Sequence, residues 1–329
     1  MIFTLVKNET IKILSRGKTW VVFGMFVALI GLLTYGLYRD EQNMKYFDLP
    51  KNMVMNLESQ MKYLDDELKL VENSLKEKDN PELQVRKESL EIEKKEIQKN
   101  INNAKKLIEE GKGDEPYPID LDAAIKNLED NINDENMPKE HKISSENQLK
   151  IYKNLKENGI QPKKSYAFDG YNQIMVIISV LGMIFLVIGL SIFGSDMVSG
   201  ECTPPTLKFL LVQPISRGKV LFSKFISLVM VCIIMILSVE IISFIIVGLI
   251  KGFGPSNYPM LYGTKYAFNL TKVVDGAHPL TMIEGSSEII TALAFLLRSF
   301  AYQVLFIVTV CSVVFLISTI FKSSMISMA

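Results

Sequence analysis

The chain has 329 residues, 48% of them hydrophobic and 22% charged, and its 36 basic side chains are balanced by 36 acidic ones. So apolar yet so charged a composition predicts one chain in two solvents, membrane and water, and zero net charge lacks the basic excess of a nucleic-acid binder, so no nucleic-acid partner is expected. Cys202, Cys232 and Cys311 all lie in or beside apolar runs, which excludes a disulfide framework in the large polar region.

Residues 1–18 place Ile2, Leu5, Val6 and Ile13 on one face with Lys7 and Lys12 among the polar positions, the pattern of an amphipathic elbow helix on the inner membrane surface. The following RGKTW, Arg16–Trp20, holds the GKT tail of a phosphate-binding loop, but that motif needs a glycine five residues before Gly17, and Lys12 stands there. Basic anchoring and an interfacial Trp are the better reading. Trp20–Tyr38 is uncharged and long enough to cross a hydrocarbon core of about 30 Å, so 19–38 is the first expected transmembrane helix. It is too long for the apolar region of a cleaved signal peptide, and its exit, YGLYRDEQ, lacks a small-x-small site.

Residues 39–170 are polar. Leu57, Met61, Leu64, Leu68, Val71 and Leu75 recur at alternating steps of four and three, which predicts a coiled-coil seam. KDNPE interrupts it, with Asn80 as the expected cap and Pro81 at the first position of a second helix. That helix carries Leu90, Ile97, Ile101, Ala104 and Ile108 on one face, so 54–110 reads as an antiparallel helical hairpin, ended by the tract GKGDEPYPID. Shorter helices are expected near 121–132 and 145–158, the latter stopped by Gly159 and Pro162. A solvated charged rod and a surface that grips a partner are both open readings of the hairpin, and nothing in it resembles a ligand site.

The second span is expected at 171–193, around the uncharged Ile174–Phe193, the third at 225–250 and the fourth at 296–321. An outside loop, 251–295, joins the last two; its Asp275, His278, Glu284 and Glu288 read as ordinary polar residues, and 322–329 is read as an incomplete cytoplasmic end. Segments 1–18 and 194–224, with Lys322, carry nine basic and three acidic residues, whereas 39–170 carries 23 basic and 29 acidic. The short basic segments belong in the cytoplasm, so the N-terminus is expected inside and 39–170 outside. The expected fold class is thus all-α: a polytopic membrane protein with four predicted spans and an extracytoplasmic helical hairpin between the first two.

Glu240 sits in the middle of the third span, where an ionisable group marks either a functional site or a protonated, hydrogen-bonded joint between helices. His141 and His278 have no partner at metal-ligand spacing, and no catalytic constellation is present. The loop 194–224 is more informative. Thr203 reads as a cap before Pro204 at the first helical position, Leu207, Leu210 and Leu211 form one apolar face, and Pro214 ends the helix after Val212. A helix that short needs a surface to dock on.

At these residues the chain resembles the ABC-2 family of ATP-binding-cassette transporter permeases, especially the long-loop permeases of low-GC Gram-positive bacteria. In that family a Glu after the second span is followed by Gly-Thr-Leu/Ile-Lys-x-Leu-Leu, then Pro-x-x-Arg, then a Lys opening the third span. The matching positions are Glu201, Thr206-Leu207-Lys208 with Leu210-Leu211, Pro214 with Arg217, and Lys224, while Pro205 stands where the family usually has glycine. The resemblance implies a non-catalytic permease subunit of an exporter in the bacterial plasma membrane, in which two permease subunits, identical or related, work with a pair of ABC ATP-binding subunits. It implies no cofactor in this chain, ATP and Mg being bound by the ATPase, which would meet Thr203–Val212 as a coupling helix, with Lys208 and Arg217 at its rim or at lipid headgroups. Family members have six spans, so two more are expected beyond the four read here. Two other classes stay open: a membrane-anchored coiled-coil scaffold or sensor, and an ion-coupled secondary transporter with Glu240 as carrier.

Overall fold

A computed structural model of the chain describes residues 2–77, 81–134, 137, 139–201, 216–270 and 278–321. The chain divides into two compact units, Tyr38–Asp120 and the remainder, Met1–Leu37 with Leu121–Ala329. The first elements are α1 (Ile2–Leu14) and α2 (Gly17–Asp48). The expected first span, 19–38, is the N-terminal part of α2, which continues to Asp48 because no helix breaker stands between Leu37 and Pro50.

In the unit Tyr38–Asp120, α3 (Pro50–Glu77) and α4 (Pro81–Glu109) form an antiparallel hairpin. Pro81 opens α4 as expected; Asn80, its expected cap, lies outside the described residues. Leu64, Leu68, Val71, Leu90, Ile97 and Ile101 are buried between the helices, and Leu57, Met61 and Leu75 close the seam on the α3 side. Each such burial contributes about 1.5–3 kcal/mol. Charged residues flank the seam and pair across it, Glu58 with Lys105 at 2.8 Å, Asp65 with Lys94 at 2.5 Å, Glu67 with Arg86 at 2.7 Å and Glu72 with Lys87 at 2.9 Å. From Glu58 to Glu72 on α3 the partners on α4 fall from Lys105 to Lys87, which is the antiparallel sense.

In the other unit, α5 (Leu121–Asn133) and α6 (Lys139–Glu157) make a second helix pair, with Lys153 on Glu129 at 2.8 Å and Lys156 on Asp122 at 2.5 Å. The helix expected at 145–158 starts earlier than that, since nothing after Lys139 breaks it and Ile143 is buried. Next come α7 (Gly170–Val180), a single π-helical turn (Leu181–Phe185) and α8 (Leu186–Gly194), which together occupy the expected second span. After a one-turn 3-10 helix, Ser199–Glu201, the long helices α9 (Arg217–Lys251) and α10 (Ala292–Ile320) contain the expected third and fourth spans. Side-chain caps start two of these elements: Asp169 accepts from the Asn172 N–H at 3.0 Å, and Thr291 from the Ala294 N–H at 3.2 Å. Among the described residues, α2, α9 and α10 are each long and apolar enough to cross a membrane as one unbroken α-helix.

The segment expected only as a loop, 251–295, contains two small antiparallel ladders. β1 (Pro259–Tyr262) pairs with β4 (Glu288–Thr291), and β2 (Tyr266–Phe268) with β3 (Leu280–Met282). Gly263 and Gly285, at φ 73° and 70°, make the bends between β1 and β2 and between β3 and β4 that other residues adopt only with strain. Strands this short, separated in pairs by long segments, leave no alternation for a sequence pattern to catch.

The largest apolar core joins Val22, Phe26 and Ile30 of α2 to Leu186, Leu190 and Phe193 of α8, to Leu228, Val231 and Ile236 of α9, and to Ile307 of α10. One close approach depends on a missing side chain: a Cβ at Gly189 would stand 2.4 Å from the Phe26 ring. Outside this core the helices are apolar toward their surroundings, with Trp20, Met25, Leu32, Ile234, Leu249, Leu305 and Leu316 all exposed.

Candidate functional site

Residues 202–215 lie outside the described residues, and with them the expected helix and its Thr203, Pro204, Thr206, Leu207, Lys208, Leu210, Leu211 and Pro214. The structure does describe the two ends between which they run. Glu201 closes the 3-10 helix Ser199–Glu201, and Arg217 opens α9 after an extended Ser216.

Both ends are tied to other helices by polar side chains. Before the segment, Asp196 accepts from Lys18, in the first turn of α2, at 2.9 Å and lies 4.0 Å from Arg16, just before that helix. Two residues on, the backbone N–H groups of Val198 and Ser199 donate to the Ser318 hydroxyl of α10, at 3.0 and 3.2 Å. After the segment, Lys224 is 2% exposed and pairs with Glu9 of α1 at 2.8 Å. One turn further, the Ser227 hydroxyl donates to the Val6 carbonyl of α1 at 3.0 Å. Thr19 closes the bend between α1 and α2 by donating to the Ile13 carbonyl at 2.6 Å. The RGKT residues are therefore occupied in bracing the start of α2.

A second polar group lies within the apolar part of α9. Glu240 is fully buried, and its Oε1 accepts from the Gln303 side-chain amide of α10 at 2.5 Å. One turn along α9, the Gln173 amide of α7 donates to Ser243 Oγ at 2.7 Å and to Thr34 Oγ1 of α2 at 3.0 Å. Glu240 Oε2, Gln303 Oε1 and Gln173 Oε1 are buried without a partner. Two neutral amides thus supply the inward polar contacts here, Gln303 to Glu240 and Gln173 to Ser243 and Thr34. A scan for uncharged Gln in apolar helices would have found both; a scan for charge could not. Asp196, Ser318 and Glu9 were equally hidden, since their importance comes from neighbours more than a hundred residues away. Among the described residues no group of His, Cys, Asp and Glu has the arrangement of a metal site.

Long helices that turn apolar faces outward and join their polar side chains to one another inside define an all-α polytopic membrane protein. The chain belongs to the ABC-2 transporter family, for the family model described as ABC-2 family transporter protein matches residues 3–329. It is therefore a permease subunit of an ABC transporter, a membrane component whose family works with an ABC ATP-binding subunit. No curated protein and no solved structure matches the chain.

Proposed function

We propose that this permease subunit is part of an exporter in a bacterial plasma membrane, driven through residues 203–212 by a pair of separate ATP-binding subunits. The N-terminus and 194–224 face the cytoplasm, 39–170 faces outward, and the chain crosses the bilayer at α2, at α7 through α8, at α9 and at α10. A second permease subunit, identical or related, completes the pathway. ATP and Mg are held by the ATPase, and this chain contributes no cofactor ligand.

The observation that supports coupling through the loop is the fastening of its two ends. A displacement of the segment between Glu201 and Arg217 reaches α2 through Asp196, α10 through Ser318 and α1 through Lys224. Leu207, Leu210 and Leu211 then seat in a groove on the ATPase, and Thr203, Pro204, Thr206 and Pro214 shape the helix that presents them. Lys208 meets an acidic rim or lipid headgroups, and Glu201, Arg217 and Lys224 mark the hinges.

Replacing Leu207 and Leu211 together by Asp tests this. Each buried leucine contributes about 1.5–3 kcal/mol, so docking should weaken by about a hundredfold or more. The variant should insert and express normally yet no longer co-purify with the ATPase or stimulate its ATP hydrolysis. Retention of both would leave the hairpin scaffold as the better reading. Single cysteines at Lys95 and Ser216 in a cysteine-free background test the orientation, with an impermeant reagent on intact cells expected to label only the first.

A further inference from the structure

The pair Glu240–Gln303 is an incomplete hydrogen-bonded ring. Gln303 Nε2 donates to Glu240 Oε1, while the second oxygen of each side chain, Glu240 Oε2 and Gln303 Oε1, both acceptors, is buried without a donor. Glu240 is 0% exposed and Gln303 5% exposed, so water does not supply what is missing. A single proton does. Placed on Oε2 it converts the carboxylate into a donor for Gln303 Oε1, and acid and amide then face each other through two antiparallel hydrogen bonds with no charge left in the apolar interior.

We propose that Glu240 and Gln303 form an intramembrane proton-binding site that fastens α9 to α10. The proton is taken up from solvent onto Glu240 Oε2 before the two helices close on each other, and it returns to solvent only when they part and water reaches the carboxyl group. Among the described residues no positive side chain is at hand to neutralise a bare carboxylate instead. Lys18 is engaged by Asp196, Lys224 by Glu9 and Lys163 by Asp169, and Arg298 lies over the Tyr262 ring at 4.4 Å. Arg39 and Lys251 stand beyond the apolar stretches of α2 and α9, and the other titratable groups on the helices around this turn, Tyr35, Tyr171, Cys232, Tyr302 and Cys311, carry no positive charge in any protonation state. The neighbouring Gln173, about 4.5 Å further along α9 by its bond to Ser243, supplies an amide and no counter-charge.

The site is separate from the coupling loop and can be tested in the full chain reconstituted in lipid, without the ATPase. Infrared spectroscopy at neutral pH should show the carbonyl band of a protonated, hydrogen-bonded carboxylic acid, sensitive to exchange into heavy water. Glu240→Gln, which keeps two amide hydrogen bonds across the joint, should fold with the same thermal midpoint and lose that band completely. Gln303→Leu should keep the band but move it to the frequency of an acid without a hydrogen-bonded carbonyl, which assigns it even if the first variant folds poorly. The proposal is overturned if wild-type protein shows no such band at neutral pH, or if the band survives Glu240→Gln, or if Gln303→Leu leaves its frequency unchanged.

Discussion

The hairpin of α3 and α4 and the long helices α9 and α10 are built from the same secondary structure with their polarity reversed. In the hairpin, leucines and isoleucines close a seam between two helices, and the charges lie outside, in pairs across its edges. In α9 the leucines and isoleucines at Ile234, Ile245 and Leu249 face outward, whereas Lys224, Ser227 and Glu240 point in. What differs is the solvent. Water makes apolar contact the valuable interaction and leaves exposed ion pairs nearly neutral in free energy. Lipid rewards no outward polar group, so each one has to find a partner inside, and the polar contacts become the specific joints between helices.

The largest effect should come from breaking an inward ion pair. Removing Glu9 by substitution with Ala takes a carboxylate from the buried Lys224 and should cost up to about 3–5 kcal/mol, whereas replacing both partners by apolar residues of similar volume should cost far less. Thermal unfolding of the purified chain in detergent distinguishes the two, and equal losses would mean the pair is not buried as described. The solvent contrast itself is sharpened by one substitution made twice. Ile234→Lys, at an exposed position near the middle of α9, should cost about 2.5–3.5 kcal/mol of insertion. Leu70→Lys, equally exposed on α3, should change stability by no more than about 0.5 kcal/mol. Glycosylation-tag insertion assays and chemical denaturation of a soluble hairpin fragment provide the two readings.

A smaller loss, about 1–3 kcal/mol, is expected from Gly189→Ala, because the new methyl collides with the Phe26 ring. Phe26→Leu in the same chain should restore much of it, and failure to do so would place the clash elsewhere. The smallest effect belongs to the hairpin's surface pairs. Glu72 and Lys87 lie 2.9 Å apart, and the carboxylate holds the Lys87 ammonium above its ordinary pKa. A pKa raised in the folded state gives stability that is present below the unfolded value and lost as pH rises through the folded one, so only strongly alkaline solution should reveal this pair. Its coupling in a double-mutant cycle should shrink further in molar salt.

How much of this was legible in the sequence follows from the same contrast. The seam of the hairpin could be read residue by residue, since each of Leu57, Met61, Leu64, Leu68, Val71 and Leu75 belongs to a period that water imposes. The long helices were legible as lengths of apolar sequence, and the elbow helix as a face. Their mutual arrangement was not, because a helix apolar all round carries no stripe to show which side meets a neighbour. Thus Val6 and Ile13 announced an amphipathic helix, but nothing in the sequence said that it rests on α9 through Lys224 and Ser227. Gln173 and Gln303 escaped notice because they add no charge, and β1 to β4 because each is only three or four residues long.

The π-helical turn Leu181–Phe185 has a consequence for angular phase. An uninterrupted α-helix advances about 100° per residue, so the direction of Gln173 at one end would fix where the chain leaves the other end, at Gly194, two residues before Asp196. The wider turn inserts an offset between them. The upstream half can therefore aim its amide at Ser243 and Thr34 while the downstream half independently aims its carboxylate at Lys18. Deleting one residue from this turn would leave the composition of the helix almost untouched and turn its two ends out of step, so that either end could be seated only by unseating the other.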